Sequence, residues 1–217
     1  MFDVYVDSAA NIPAEIVKEY GIHVISFHTF VDGKMIEDFD CSLSPEEERA
    51  LGHTYYEAIR NGSEVKTSLV NQAEFMEPFE KTLKEGKDIL YISLSKNISG
   101  TYNAAKLAAE DLAEEYPNNH VYLVDSLNAS LAQGILALYA VEKRDKGQEI
   151  QSIQKELSAM ALQMNGVFTV GSLKYLSKTG RISGAKALIG NALKIKPILR
   201  GNKEGFIVQF RKCRGRK

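Results

Sequence analysis

Tryptophan is absent from the 217 residues, cysteine occurs twice and proline five times. Each scarcity excludes something. Cys41 and Cys213 cannot build the disulfide framework of a small secreted domain, and neither has a neighbour at zinc-site spacing. Both read as free thiols. The histidines, His23, His28, His53 and His120, have no partner at metal-ligating spacing, so no metal or cofactor is expected. No apolar run approaches the roughly 20 residues of a membrane-spanning helix. The opening MFDVYVDSAANIP lacks the basic-then-apolar order of a signal peptide. A cytoplasmic protein is expected, and the sequons at Asn97 and Asn128 then read as accidental. A formal net charge of −1 gives no general electrostatic case for nucleic acid. Catalytic signatures are missing too: no Gly-x-Ser-x-Gly elbow, no Walker loop, no Gly-x-Gly-x-x-Gly fingerprint. No pair of carboxylates stands out at a pocket edge.

What is there is an ordinary globular composition, 44% hydrophobic and 25% charged. Phe2–Asp7 is a β-branched and aromatic strand. Pro13 opens a helix over Ala14–Tyr20, with Asn11 as cap and Gly21 as stop. His23–Val31 reads as one strand, in which His23 and His28 face opposite sides. Asp32-Gly33 turns it back into Lys34–Phe39. Ser44-Pro45-Glu46-Glu47 starts a helix that runs to Arg60. A further helix is expected over Asn71–Glu85.

Strands and helices then alternate strictly: Asp88–Ser93, a helix over Tyr102–Glu115, Val121–Asp125, and a helix from Ala129 to Lys146. This pattern predicts an α/β fold with a mostly parallel sheet covered by helices on both faces, a Rossmann-like N-terminal domain. Ala104, Ala105, Ala108 and Leu112 form the helix face that lies close on the sheet. After Gly147 a helix over Ile150–Met164, a strand at Val167–Val170, helices at Ser172–Thr179 and Ala185–Leu193, and strands at Lys196–Arg200 and Phe206–Phe210 are expected. A boundary near residue 165 gives an N-terminal domain of residues 1–165. Residues 166–217 form a smaller, incomplete α+β C-terminal domain, too short to bury a core alone.

The chemistry suggested by the residues lies in two hydroxyl-rich segments, each placed before a helix. Thr67-Ser68 precedes Asn71–Glu85, and Ser99-Gly100-Thr101 precedes Tyr102–Glu115. Unpaired backbone N–H groups and the positive end of the dipole make a helix N-terminus a natural seat for an anion. Taken singly, each hydroxyl is explained by capping, worth about 1 kcal/mol. Asp7-Ser8 and Asp125-Ser126 each end a strand, where turn formation is the simpler explanation.

The chain resembles the DegV family of bacterial fatty-acid-binding proteins, which includes the binding subunits of fatty acid kinase. The resemblance rests on Asp7-Ser8 after the first strand, Thr67-Ser68 before a Phe-containing helix, Ile98-Ser99-Gly100-Thr101-Tyr102 and Val124-Asp125-Ser126. It continues through Leu173-Lys174-Tyr175-Leu176, Gly180-Arg181-Ile182-Ser183 and Leu193-Lys194-Ile195-Lys196-Pro197-Ile198. These segments occur in family order over the whole chain. Two positions depart from the family's pattern: Thr179 stands where it has a second glycine, and Leu69-Val70 where it has Gln-Pro. Family members also run on past the position of Lys217, so the chain looks truncated at its C-terminus.

The resemblance implies a carrier that holds a long-chain fatty acid between domains and presents its carboxylate to a separate ATP-dependent kinase, which makes the acyl phosphate. It is not expected to be an enzyme itself. Thr67 and Ser99 are the implied carboxylate ligands, with Ser68, Gly100 and Thr101 beside them. Arg181 is implied at the mouth of the site or the kinase interface, and Asp7, Ser8 and Ser126 around the turns. Lys196 has a weaker case. Implied partners are the fatty acid and the kinase catalytic subunit, with at most transient contact with a membrane surface. The rival is a small α/β hydrolase or phosphotransferase acting on an anionic substrate, with Ser99 or Thr67 as nucleophile. A third reading, a regulatory or interaction module, rests on the basic segment Arg211–Lys217, which also reads as the start of a helix.

Overall fold

The computed structural model describes residues 2–36, 39–170, 180–182 and 195–214. The helices expected at Ser172–Thr179 and Ala185–Leu193 lie outside them. The chain opens with β1 (Phe2–Asp7), a single 3-10 turn at Ser8–Ala10, α1 (Ala14–Tyr20) and β2 (Ile22–Ile25). An excursion follows: β3 (His28–Val31), β4 (Lys34–Ile36), α2 (Pro45–Arg60) and β5 (Val65–Ser68). The alternating part holds α3 (Gln72–Lys84), β6 (Asp88–Ser93), α4 (Thr101–Glu115), β7 (Val121–Asp125), α5 (Leu131–Asp145) and α6 (Ile150–Ala161). The last strands are β8 (Val167–Thr169), β9 (Ile195–Gly201) and β10 (Ile207–Arg214).

The main sheet has four strands in the order β2-β1-β6-β7, all parallel. Its central strands are buried on both faces. Val4, Val6, Leu90 and Ile92 enter one cluster with Val17 of α1, Leu136 and Val141 of α5, and Ile153 and Leu157 of α6. Tyr5, Ile89 and Tyr91 point the other way, against Phe75 and Phe79 of α3 and the Ala104, Ala105, Ala108 and Leu112 face of α4. The side-chain period of two produces this division, and it explains why these strands read as continuous apolar runs.

Four local readings are corrected. The single strand expected over His23–Val31 is two strands in two sheets. Ile25 pairs with Asp7 in the parallel sheet, whereas His28 pairs with Ser68 in the antiparallel sheet β4-β3-β5. The break follows from Ser8 Oγ, which accepts the Phe27 N–H at 3.0 Å and takes that amide out of a ladder. Asn11 does not cap α1; it ends the 3-10 turn in the left-handed region (φ 52°), a conformation asparagine tolerates. Thr67 and Ser68 do not sit at a helix N-terminus. They lie in β5, and α3 is capped by a reciprocal Asn71–Glu74 box. Finally, Arg211–Arg214 extends β10 rather than beginning a helix. The helix start at Ser44-Pro45, the stop at Gly21 and the hairpin at Asp32-Gly33 are as read from sequence, and the structure adds a capping box between Ser44 and Glu47.

The second antiparallel sheet, β10-β9-β8, is tied to the parallel body through the β9–β10 turn. Ser95 Oγ donates to the Gly205 carbonyl at 2.9 Å, and Asn97 Nδ2 donates to the Glu204 carbonyl at 2.6 Å. Gly205 has φ +86°, and a Cβ there would fall directly on the Ser95 hydroxyl and 3.3 Å from Leu127 Cα. Both the backbone angle and the space therefore require glycine. Gly205→Ala is expected to lower stability by roughly 2 kcal/mol or more through strain and the lost bridge, read from a urea or thermal unfolding curve. Gly147→Ala, at φ +77° but with nothing within 4 Å, isolates the strain alone and should cost less.

Candidate functional site

The strand order places a topological switch between β1 and β6. From that seam β1 connects outward to β2 through α1, and β6 outward to β7 through α4. Right-handed crossovers then put α1 and α4 on opposite faces, which opens a crevice at the C-terminal ends of the two central strands. Asp7, Ser8, Ser93–Ser95, Asp125 and Ser126 all reach that edge.

Asp7 is the centre of this edge. It is fully buried, and its Oδ2 accepts from Tyr91 Oη at 2.9 Å and Leu94 N at 2.8 Å. Its Oδ1 accepts from Gln133 Nε2 at 3.1 Å, and the Ala9 amide adds a further bond. Burial raises the carboxyl pKa, and these hydrogen bonds oppose the rise without cancelling it. Burial, followed by the Asp7 charge, pushes the Tyr91 phenol well up, so it remains a donor. Gln133 also donates to the Ile92 carbonyl at 3.1 Å. One carboxylate thus joins the ends of β1 and β6 to α5.

The next loop, Leu94–Gly100, carries the predicted hydroxyls. Ser95 N donates to the Asn128 carbonyl at 2.9 Å, and Ser99 N to the Ser95 carbonyl at 3.1 Å. Ser99 Oγ lies 2.8 Å from Thr101 Oγ1 and accepts the Thr101 amide at 3.3 Å. Thr101 is buried, Ser99 partly open and Gly100 exposed at the N-cap of α4. Ser126 is buried; its Oγ donates to the Asn128 carbonyl at 3.0 Å, a turn-forming role. Leu127 and Ser130 in the same loop have positive φ, 52° and 57°, so backbone strain gathers at this edge.

The excursion brings the other predicted pair to the same place. Thr67 is exposed on β5 directly opposite buried Thr29, and Ser68 lies opposite His28, which bonds to Glu74 of α3. Leu69 and Val70 make the connection. Val70 is buried in the α3–α4 cluster, and Leu69 reaches Gly100 so closely that a Cβ there would lie 3.2 Å from Leu69 Cδ2. The two segments therefore approach each other through Leu69, just after the end of β5, and Gly100, at the N-cap of α4. Arg181 is exposed beside Ile182, which bridges to Ile207 of β10, so it sits with the antiparallel sheet. Lys196 on β9 pairs with Cys213 of β10.

Sequence reasoning missed Tyr91, Gln133, Ser95 and Asn128. Tyr91 and Gln133 are lost in apolar helix and strand patterns, and only a buried acid seeking partners would point to them. Among the described residues, no group of three or more His, Cys, Asp or Glu could hold a metal ion. No described helix is long and apolar enough to cross a membrane.

Asp7→Asn keeps the shape but places an amide NH2 where donors converge. A loss of about 1–3 kcal/mol is expected. Because the folded pKa of Asp7 lies above its ordinary 3.8, its contribution is complete below that value and fades as pH rises through the folded pKa. Unfolding curves of the two proteins should therefore differ most near the acid end of the range and converge toward neutrality. A gap that widens as pH rises would reverse the sign assigned to Asp7.

Comparison with known proteins agrees with this architecture. The family described as "Uncharacterised protein, DegV family" matches residues 1–217. A DegV domain-containing protein of Clostridium perfringens is 36% identical over the whole chain, which covers 72% of that protein. Among solved structures, a DegV family protein from Thermus thermophilus described by its fatty acid binding has a TM-score of 0.82 and 29% identity, covering 99% of this chain and 72% of that one. DegV from Bacillus subtilis, described as a fatty acid binding protein, has a TM-score of 0.79 and 31% identity, with 99% and 72% covered. With its full length matched by the family and the same fold in its relatives, the chain belongs to the DegV family.

Proposed function

We propose that this protein is a fatty acid carrier whose ligand carboxylate is held between Thr67 of β5 and Ser99 at the start of α4. The observation that carries the reading is the contact of Leu69 with Gly100, which brings the two hydroxyl segments together beside the switch point of the parallel sheet. Relatives at 29% and 31% identity with the same fold are described as fatty acid binding. Thr101 and the N-terminal amides of α4 add donors and a positive dipole end to the same anion.

A long acyl chain leaving water contributes on the order of 12 kcal/mol at about 0.8 kcal/mol per methylene. Its carboxylate needs partners, since an unpaired buried charge is very costly. Hydroxyls and helix amides answer that need while leaving one oxygen for chemistry. Residues 1–165 form the domain that supplies this polar end, and residues 166–217 belong to a second domain, with Arg181 near the mouth. A separate ATP-dependent kinase would receive the presented carboxylate, the carrier supplying orientation and the kinase the phosphoryl transfer. The carrier alone has no turnover.

Denaturing extraction of the purified full chain, followed by mass spectrometry, should release a stoichiometric long-chain fatty acid. Thr67→Ala combined with Ser99→Ala should weaken fatty acid affinity at least about a hundredfold, the equivalent of two lost charge-assisted hydrogen bonds, and strip the co-purified lipid. Wild-type protein that yields no lipid and binds none when fatty acid is added would refute the carrier reading, as would ATP consumption by the pure protein with fatty acid.

A further inference from the structure

A second polar cleft lies on the far side of the β9–β10 turn, where α6 ends against the antiparallel sheet. It encloses about 370 Å³, and its walls include Asn128, Leu162, Asn165, Arg200, Asn202 and Lys203, with Glu204 as the one carboxylate. The volume falls within the lower range of small-ligand sites.

Arg200 is the unusual member. It stands on β9, and a register shift between Gln209 and Arg211 leaves Phe210 as the extra residue on the facing strand. The Arg200 guanidinium carbon lies over this ring, 4.4 Å from its centre, and that of Arg211 lies 5.2 Å from the same centre. Stacking fixes the plane of a guanidinium and leaves its in-plane N–H fan free for an anion. One donor of this fan is unused: among the described residues, Arg200 Nε is shielded from solvent and has no hydrogen-bond partner. Among the described residues, no carboxylate is within ion-pair distance of Arg200, Lys203 or Arg211. A shielded donor without an acceptor costs about 1–3 kcal/mol, and more when it belongs to a charged group.

We propose that this cleft binds a phosphate monoester, with Arg200 gripping the phosphate edge-on and Lys203 as the second cation. A phosphate dianion suits two cations and a planar fork better than a single carboxylate does. The cleft is larger than the phosphate itself, so the rest of the ligand is a small polar group. A phosphorylated metabolite and a phospholipid head group share this chemistry. The site is separate from the Thr67–Ser99 hydroxyls and does not depend on their role.

The test is calorimetric titration of the full chain with glycerol 3-phosphate, at ionic strength matched with chloride, alongside flotation with phosphatidylcholine vesicles with and without phosphatidic acid. Saturable binding of glycerol 3-phosphate is expected, weakened about tenfold or more by Arg200→Gln and also by Arg200→Lys, which lacks the fork. Glu204→Gln should tighten binding, because it removes the opposing charge from the cleft. Lys203 is exposed, so Lys203→Gln serves as a second variant should Arg200→Gln fail to fold; a loss of a few-fold is expected from it. Binding only to vesicles containing phosphatidic acid would assign the site to a head group, and binding of the soluble probe alone to a metabolite. No saturable binding by either route, or unchanged affinity in folded Arg200→Gln, would overturn the proposal.

Discussion

The carboxylate of Asp7 is the constraint on which the C-terminal edge of the parallel sheet depends. A parallel sheet that turns outward at a switch point has strand ends that diverge, and nothing in the ladder itself holds the following loops together. Asp7 does so from beneath, accepting from Tyr91, Leu94 and Gln133. Leu94 begins the loop that carries Ser99, so the position of that hydroxyl is set by an acid far away in sequence. The cost is a buried carboxyl with a raised pKa, tolerated because several donors converge on it.

The β9–β10 turn is positioned by the same logic from above. Ser95 is bonded through its amide to the β7–α5 loop and through its hydroxyl to Gly205. One short loop therefore serves as the common anchor of the parallel body and the antiparallel sheet. The hydroxyl and the glycine have to be considered together, since a side chain at Gly205 would occupy the place of the Ser95 oxygen. Arg200 of the same sheet lies over the Phe210 ring of the neighbouring strand.

The sequence makes the parallel sheet readable because strands buried on both faces have an unmistakable apolar signature, and because helix stops such as Gly21 and starts such as Ser44-Pro45 act locally. It conceals what depends on distant partners. The break after Ile25 is decided by Ser8, and the strand character of Thr67-Ser68 by pairing with His28 and Thr29. Thr67 and Ser68, which looked like caps, are strand residues, and the neighbour of Gly100 is Leu69 just after them. The true cap, Asn71 with Glu74, was visible as a three-residue spacing but was masked by the more conspicuous threonine and serine before it. Gln133 has no local signature at all, because its role exists only once Asp7 is buried beside it.

The helix α2 gives this convergence a thermodynamic character. None of its residues from Pro45 to Arg60 is buried, and it borders an open cleft of about 360 Å³ lined by Ile36, Phe39, Leu43 and Tyr55. The excursion that carries Thr67 thus has little apolar burial of its own, whereas the loop that carries Ser99 is fastened to the core. The two halves of the proposed anion seat belong to regions of unequal local stability. A ligand gripping both would draw part of its affinity from closing the weaker half onto the stronger. Amide protons of β3 and β5 would then exchange more slowly in its presence, while those of β6 would hardly change.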